Sequence, residues 1–177
     1  DLIAKSNPDG YTLGAANILT LALNRSLLKS LPYNIDKDFK PVIQYSFVTN
    51  LLAVSPSLPV NSVKELIAYA RANPGKVGTT HHLGMALLAH MTHTNMVHVP
   101  YKSAQQAVAE LSTGQIQAMS DGIASILPHV RAGRVRGLAT TGSKRSVGAP
   151  ELPTIAEAGV PGFEVISWNG LVFPSGA

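Results

Sequence analysis

The stretch from His98 to Thr141 decides the fold, and it reads HVPYKSAQQAVAELSTGQIQAMSDGIASILPHVRAGRVRGLATT. Three short apolar runs lie in or directly before it, at residues 97–99, 116–119 and 137–140. Two segments with helical periodicity, residues 103–112 and 123–132, separate these runs, and Gly114 and Gly133 follow them as helix-ending residues. Ser103 and Gln106 have the spacing of a capping box. This alternation with short connections predicts a parallel, right-handed α/β unit.

The segment Ser120-Asp121-Gly122 lies at the carboxyl end of the second predicted strand. Ligands of parallel sheets bind beyond the carboxyl ends of the strands, so this segment is a candidate binding position. Asp121 is the single acidic residue between Glu110 and Glu151. Its two interpretations are compatible: the carboxylate caps the following helix, or it faces a ligand.

The regions before this stretch contain further predicted elements. Residues 11–16 are predicted to form a strand, and residues 19–28 a helix packed in the core, in which Thr20 is the polar residue that could face a cleft. Residues 51–54 are wholly apolar, which predicts a central strand. Ser62 and Glu65 have capping-box spacing at the start of a helix predicted to end near Ala72.

A possible anion site follows the short strand predicted at residues 76–80. Thr79 or Thr80 is expected to cap a helix that runs from about His82 to Met91. Free backbone N–H groups and the positive end of the helix dipole then face the same edge as Asp121. Ordinary helix capping without any ligand is the alternative interpretation.

Composition excludes several classes of protein. Only 14% of the 177 residues are charged and 45% are hydrophobic, which is typical of a globular chain and not of a disordered one. The net charge of +4 is compatible with a small anionic ligand. The only dense basic run, residues 131–145, lacks aromatic residues and is better explained as a solvated face than as a nucleic-acid patch. No apolar run is long enough to span a membrane, and the absence of cysteine excludes no redox compartment.

No pattern for catalysis or metal binding is convincing. The sequence has no GxSxG, P-loop or GxGxxG motif, which favours binding over catalysis. His82, His90 and His93 lie in one helical region, but no Asp, Glu or Cys lies between Lys76 and Lys102 to complete a site. We therefore predict no catalytic residue, no metal ion and no cofactor.

These motifs taken together resemble the substrate-binding proteins of tripartite tricarboxylate transporters, the Bug receptors. The matching blocks occur in family order over nearly the whole chain. They are Pro8-Asp9-Gly10-Tyr11-Thr12-Leu13, Leu31-Pro32-Tyr33 with Asp38-Phe39, Ser62-Val63-Lys64-Glu65-Leu66, Ala72-Asn73-Pro74-Gly75-Lys76, Val97-His98-Val99-Pro100-Tyr101-Lys102, Pro128-His129, Ala132-Gly133, Leu152-Pro153-Thr154, Gly159-Val160-Pro161-Gly162 and Ser167-Trp168.

The resemblance implies an α/β fold with the two-lobed architecture of type II periplasmic binding proteins. Residues 1–54 and 166–177 are then part of a first lobe with the hinge strands, and residues 55–165 are the second lobe. The family's glycine-rich first loop and its C-terminal helices have no counterpart here, so we expect the chain to belong to a longer protein. Gly78-Thr79-Thr80 corresponds to a shortened form of the family's serine/glycine-rich loop.

The resemblance also implies a function and a site. The expected protein is a periplasmic receptor, not an enzyme and not itself membrane-spanning, that binds a small organic carboxylate and delivers it to the membrane components of a transporter. The expected ligand-binding residues are Thr20, Thr79, Thr80 and Asp121, whereas Gly122 stands where family members carry Asn. A ligand sensor of the same fold that acts on a signalling partner is the first alternative, and an enzyme acting on a carboxylate is the second.

Overall fold

The computed structural model describes residues 2–80 and 82–176. The chain forms two compact units, the first of Asp1–Val48 with Ser167–Ala177 and the second of Thr49–Ile166. The strands are β1 Gly14–Asn17, β2 Phe39–Val54, β3 Val77–Thr79, β4 Met96–His98, β5 Ala118–Gly122, β6 Arg136–Thr140 and β7 Ile166–Pro174. The helices are α1 Asn24–Leu27, α2 Val63–Ala72, α3 His82–Thr92, α4 Ala104–Thr113 and α5 Ile123–Arg131, with a 3₁₀ turn at Ile3–Lys5 and a π-helical turn at Leu19–Leu23.

The first unit contains a small β-sheet, in which β1 is antiparallel to β7, and it has little buried core. β1 pairs with β7 from Gly14 opposite Val172 to Asn17 opposite Asn169, and β7 is also the neighbour of β2. The strand predicted from residue 11 therefore begins later, at Gly14. Among the described residues of this unit, the buried apolar side chains are those of Ala16, Val172 and Pro174.

The helix predicted at residues 19–28 is confirmed, but its predicted place in the core is wrong. Helical backbone continues from the π-helical turn directly into α1, whereas Leu19, Leu27 and Leu28 are all about half exposed. The physical reason is that the first unit offers almost no buried apolar surface for these leucines to pack on.

The second unit is a five-stranded sheet in the order β4-β3-β5-β2-β6. β3 is parallel to both β4 and β5, whereas β2 is antiparallel to β5 and to β6. The three predicted strands β4, β5 and β6 run in the same direction, as predicted, but they are not neighbours: β3 lies between β4 and β5, and the apolar end of β2 lies between β5 and β6. Leu51, Leu52, Ala53 and Val54 are completely buried, as predicted for a central strand.

Alternate side chains of β2 build two separate cores on the two faces of this sheet. Leu52 and Val54 pack with α2, α3 and Phe163 on one face. Leu51 and Ala53 pack with α4 and α5 on the other. The sheet is therefore covered by helices on both faces, as expected for an α/β layer structure.

The predicted starts of α2 and α4 are confirmed by their caps. Ser103 Oγ accepts a hydrogen bond from Gln106 N at 3.3 Å, and Ser62 Oγ accepts one from Glu65 N at 3.2 Å. Gly114 ends α4 in the left-handed conformation, with φ 83°. Within the described chain, no helix combines the length and the apolar character that crossing a membrane requires.

Candidate functional site

The candidate site lies in the second unit, at the carboxyl ends of the parallel strands β3 and β5. Thr79 pairs with Ala118, which places Thr80 and Ser120 on neighbouring strand ends. The shorter predicted strand implied that Ser120 and Asp121 follow β5. The strand instead extends to Gly122, so both residues belong to its carboxyl-terminal part. The prediction that these positions share one edge of the sheet is confirmed.

Buried hydroxyl groups without hydrogen-bond partners distinguish this edge. Thr80 Oγ1 and Ser120 Oγ are inaccessible to solvent and make no hydrogen bond, and the same holds for Thr140 Oγ1 at the end of β6. Thr80 is 4% exposed and Ser120 is 2% exposed. Leaving a buried hydroxyl unsatisfied costs about 1–3 kcal/mol. Three such groups lie on three strands of the same direction, near their carboxyl ends, and they are therefore candidates for hydrogen bonds to a bound molecule.

The first turn of α3 lies directly against this surface. A Cβ atom placed on Gly84 would lie 3.9 Å from Ser120 Oγ, an ordinary van der Waals distance, so the helix backbone passes close to the serine hydroxyl. Helix amino termini favour anions because their first N–H groups have no partner within the helix.

The predicted cap of α3 is only partly described. Thr80 Oγ1 has no hydrogen bond, so this hydroxyl does not cap α3 within the described chain. His81, which directly precedes the helix, lies outside the described residues. Thr79 is buried at 3% exposure, and its carbonyl accepts a hydrogen bond from Val99 N at 2.8 Å.

Asp121 is half-buried and is not the N-cap of α5. That position belongs to Gly122, which has no side chain to cap with. Asp121 Oδ1 instead accepts a hydrogen bond from Gly122 N at 2.7 Å. The capping interpretation is thereby corrected: the carboxylate orients the backbone at the junction of β5 and α5, one residue before the helix cap.

Thr20 belongs to the first unit, and its hydroxyl is used locally. Thr20 Oγ1 accepts a hydrogen bond from Asn17 N, and Asn17 Oδ1 accepts one from Thr20 N, both at 3.0 Å. This is the reciprocal arrangement of a capping box, formed across the start of the π-helical turn. Tyr33 Oη also donates to the Thr20 carbonyl at 2.9 Å. The described contacts of Thr20 thus stabilise its own helix start.

A tyrosine–glutamate pair fixes the loop beside Thr79. Tyr101 Oη donates a hydrogen bond to Glu110 Oε2 on α4. Partial burial, with a further contribution from the Glu110 carboxylate, raises the pKa of Tyr101 to about 12. The phenol therefore stays protonated at neutral pH and holds the connection from β4 to α4 in place.

The described residues bring together no group of three His, Cys, Asp or Glu side chains that could hold a metal ion. His90 lies on α3 and His93 just after it, with a positive φ of 51°. The chemistry available at the site is thus hydrogen bonding by hydroxyl and backbone groups. Ser120 and Thr140 were not among the predicted site residues. Hydroxyl residues at the ends of apolar runs were the signal that could have found them.

The whole chain matches a known protein family. The model of the tripartite tricarboxylate transporter family receptor, TctC, matches residues 1–177. The chain belongs to this family. A protein of the tcbD-tcbE intergenic region of a Pseudomonas species is 38% identical over 99% of the chain, and BugT of Bordetella pertussis is 35% identical over 99%. The chain covers 54% and 56% of these two proteins, so it spans about half the length of the curated relatives it matches.

Solved structures of TctC-family proteins share the fold. A Rhodopseudomonas palustris protein solved with adipate superimposes with a TM-score of 0.86 at 38% identity, over 99% of this chain and 61% of that one. MatC from the same species, solved with bound malate, superimposes with a TM-score of 0.81 at 30% identity, over 99% of this chain and 62% of MatC. The periplasmic binding protein BugD superimposes with a TM-score of 0.82 at 29% identity, over 98% of this chain and 60% of BugD. The α/β fold predicted from the resemblance is confirmed.

Proposed function

We propose that this TctC-family chain is part of a periplasmic solute receptor that captures a small organic carboxylate and delivers it to the membrane components of a tripartite tricarboxylate transporter. The observation that carries the proposal is the pair of buried, unpartnered hydroxyls Thr80 Oγ1 and Ser120 Oγ. Family membership and the adipate and malate held by similar proteins support the choice of a carboxylate.

In this proposal the carboxylate receives hydrogen bonds from the strand ends in the second unit. Thr80 and Ser120 donate through their hydroxyls, and the backbone N–H groups at the start of α3 add further donors. Thr79 contributes through its position at the end of β3. A hydrogen bond to a charged group contributes about 1.5–3 kcal/mol, so two or three of them suffice to distinguish an anion from its amide.

Asp121 is proposed to accept a hydrogen bond from a ligand hydroxyl or to orient the loop. It is not proposed to face the ligand carboxylate, because two like charges repel each other. Thr20 stays a predicted contact from the first unit. No covalent chemistry is assigned, since the hydroxyls of Thr80 and Ser120 have no base as a hydrogen-bond partner among the described residues.

Isothermal titration with adipate, malate and the amide of each acid tests the proposal. We expect saturable binding of at least one acid, no measurable binding of the matching amide, and no product in NMR spectra of the mixture after long incubation. Turnover of the acid would instead support the enzyme alternative. Absence of binding across a panel of di- and tricarboxylates would contradict the receptor.

A further inference from the structure

A second concave surface of the second unit lies away from the strand ends. We call it the α2 groove; it is a cavity of about 380 Å³ between α2, the end of α3 and the turn Gly159-Val160-Pro161. Its floor is apolar, because Ile67 and Val160 are buried and Met91 is half-buried beneath it. No residue that lines it is acidic.

Two cations stand at the rim of the α2 groove, seven residues apart on one helix. Lys64 and Arg71 are exposed and are separated by two turns of α2, a rise of about 10 Å. Ile67 and Ala68 lie between them on the same face. The surface therefore has a charge at each end and an apolar centre.

Both cations are positioned by contacts that leave their charge available. The Arg71 guanidinium donates to the Thr92 carbonyl from Nε at 3.2 Å and from Nη2 at 2.8 Å, which uses no carboxylate. The Lys64 stem lies along Gly159, whose Cβ, if present, would be 2.9 Å from Lys64 Cε. Because Gly159 has no side chain, the lysine lies flat along the groove wall.

Two acidic side chains near the α2 groove, Glu65 and Glu157, form hydrogen bonds with groups outside it. Glu65 Oε2 accepts from Asn61 N at 2.7 Å, at the other side of the α2 start. Glu157 Oε2 accepts from Thr154 N and from Arg145 Nε, at 3.0 Å and 2.8 Å. Neither Lys64 nor Arg71 has a carboxylate partner among the described residues. The groove thus has two unneutralised charges and an apolar floor.

We propose that the α2 groove docks an acidic, aliphatic segment of a protein partner, with one carboxylate at Lys64 and another at Arg71. A segment in the polyproline II conformation has three residues per turn, so residues i and i+3 lie on the same face and about 9 Å apart, which approximates the spacing of the two cations. Aliphatic side chains between the two acids then cover Ile67 and Val160. A single small acid satisfies only one end. This docking surface goes beyond the proposed receptor function and does not depend on which carboxylate binds at the strand ends.

Fluorescence anisotropy with a labelled peptide, blocked at both ends, of sequence Glu-Leu-Leu-Glu tests the docking. The reference peptide is Gln-Leu-Leu-Gln, which keeps the length and the apolar centre. We expect the acidic peptide to bind at least tenfold more tightly at low salt, with the difference shrinking as salt screens the charges. Equal binding of the two peptides, or no binding of either, would overturn the proposal.

Charge-matched variants locate the contact. Lys64→Gln and Arg71→Gln should each weaken binding of the acidic peptide at least threefold. Lys76→Gln removes the same charge from an exposed lysine outside the groove and should leave binding unchanged. Lys64 makes no described hydrogen bond, so its variant should keep the wild-type melting temperature, whereas Arg71→Lys separates loss of the Thr92 contact from loss of charge. An equal loss with Lys76→Gln would indicate diffuse attraction and overturn the site. Binding of adipate that is lost in Lys64→Gln, with no binding of the acidic peptide, would instead reveal a small-molecule site and overturn peptide docking.

Discussion

The two units of the chain differ sharply in how much apolar surface they bury. The second unit surrounds its sheet with two helix-covered cores in which residues such as Leu52 and Ile126 are completely inaccessible. The first unit leaves Ile43, Tyr45 and Phe47 exposed along one face of β2, with Phe47 67% exposed. Stability therefore resides in the second unit, which also carries the unpartnered hydroxyls of the candidate site.

The largest expected effect comes from removing the same side chain in the two units. Ile126→Ala in the second unit should lower the free energy of unfolding by about 2–5 kcal/mol, because it leaves a cavity in a closed core. Ile43→Ala in the first unit should cost less than about 1 kcal/mol, because this side chain is 57% exposed. Urea denaturation followed by circular dichroism measures both. Similar losses for the two variants would mean that the exposed face of β2 is covered in solution.

A smaller effect is expected at the two glycines that end helices in the second unit. Gly114→Ala places a Cβ 2.6 Å from Ser57 Oγ in addition to the left-handed backbone, with φ 83°. Gly133→Ala meets the same backbone conformation, with φ 69°, but nothing lies within 4 Å of its Cβ. The left-handed conformation alone costs roughly 1–2 kcal/mol. We expect Gly114→Ala to lower the free energy of unfolding by measurably more than this amount, and Gly133→Ala to lower it by about this amount. Equal losses would show that Ser57 moves away freely.

The smallest expected effect is the pH dependence of the stability that Tyr101 contributes. The folded-state pKa of Tyr101, about 12, lies above the ordinary value of 10 for tyrosine. The hydrogen bond to Glu110 is therefore fully present below pH 10, and its contribution to stability is lost as the pH rises through 12. Tyr101→Phe should be less stable than wild type at pH 8, with the gap closing above pH 10. Thermal melts between pH 8 and 11 measure it, and a constant gap would contradict the assignment.

Local signals explain why the second unit was predictable in detail. Ser62 and Ser103 cap the starts of their helices and Gly114 ends α4, so these roles can be recognised from a few neighbouring residues. The insertion of β2 between β5 and β6 is different, because Leu52 pairs with Ser120 and Ala139, which are dozens of residues away. No local pattern specifies that choice. The helix at residues 19–28 was predicted from its apolar pattern, but its core position was wrong, because the leucines of the first unit lack a core to pack on.

The candidate site was predictable only in its location. Thr79, Thr80 and Asp121 were placed at strand ends by counting elements, and the sheet brings these ends together. Thr80 Oγ1 and Ser120 Oγ lack hydrogen-bond partners. This depends on the positions of all the atoms around them and cannot be predicted from the sequence. Thr20 shows the converse, since its hydroxyl is engaged by Asn17 next to it. Unsatisfied polar groups are a property of packing and require the structure.

The most direct test of the account is the affinity of Thr80→Val for a carboxylate that wild type binds. Valine keeps the shape and removes the hydroxyl, so carboxylate affinity should fall about tenfold or more, which corresponds to about 1.4 kcal/mol. Because this hydroxyl has no internal partner, the ligand-free melting temperature should not fall. Thr113→Val, on an exposed hydroxyl bonded to the Glu110 carbonyl at the far end of α4, should change neither affinity nor the binding enthalpy. Equal carboxylate affinity of Thr80→Val and wild type by isothermal titration would contradict the site at the ends of β3 and β5.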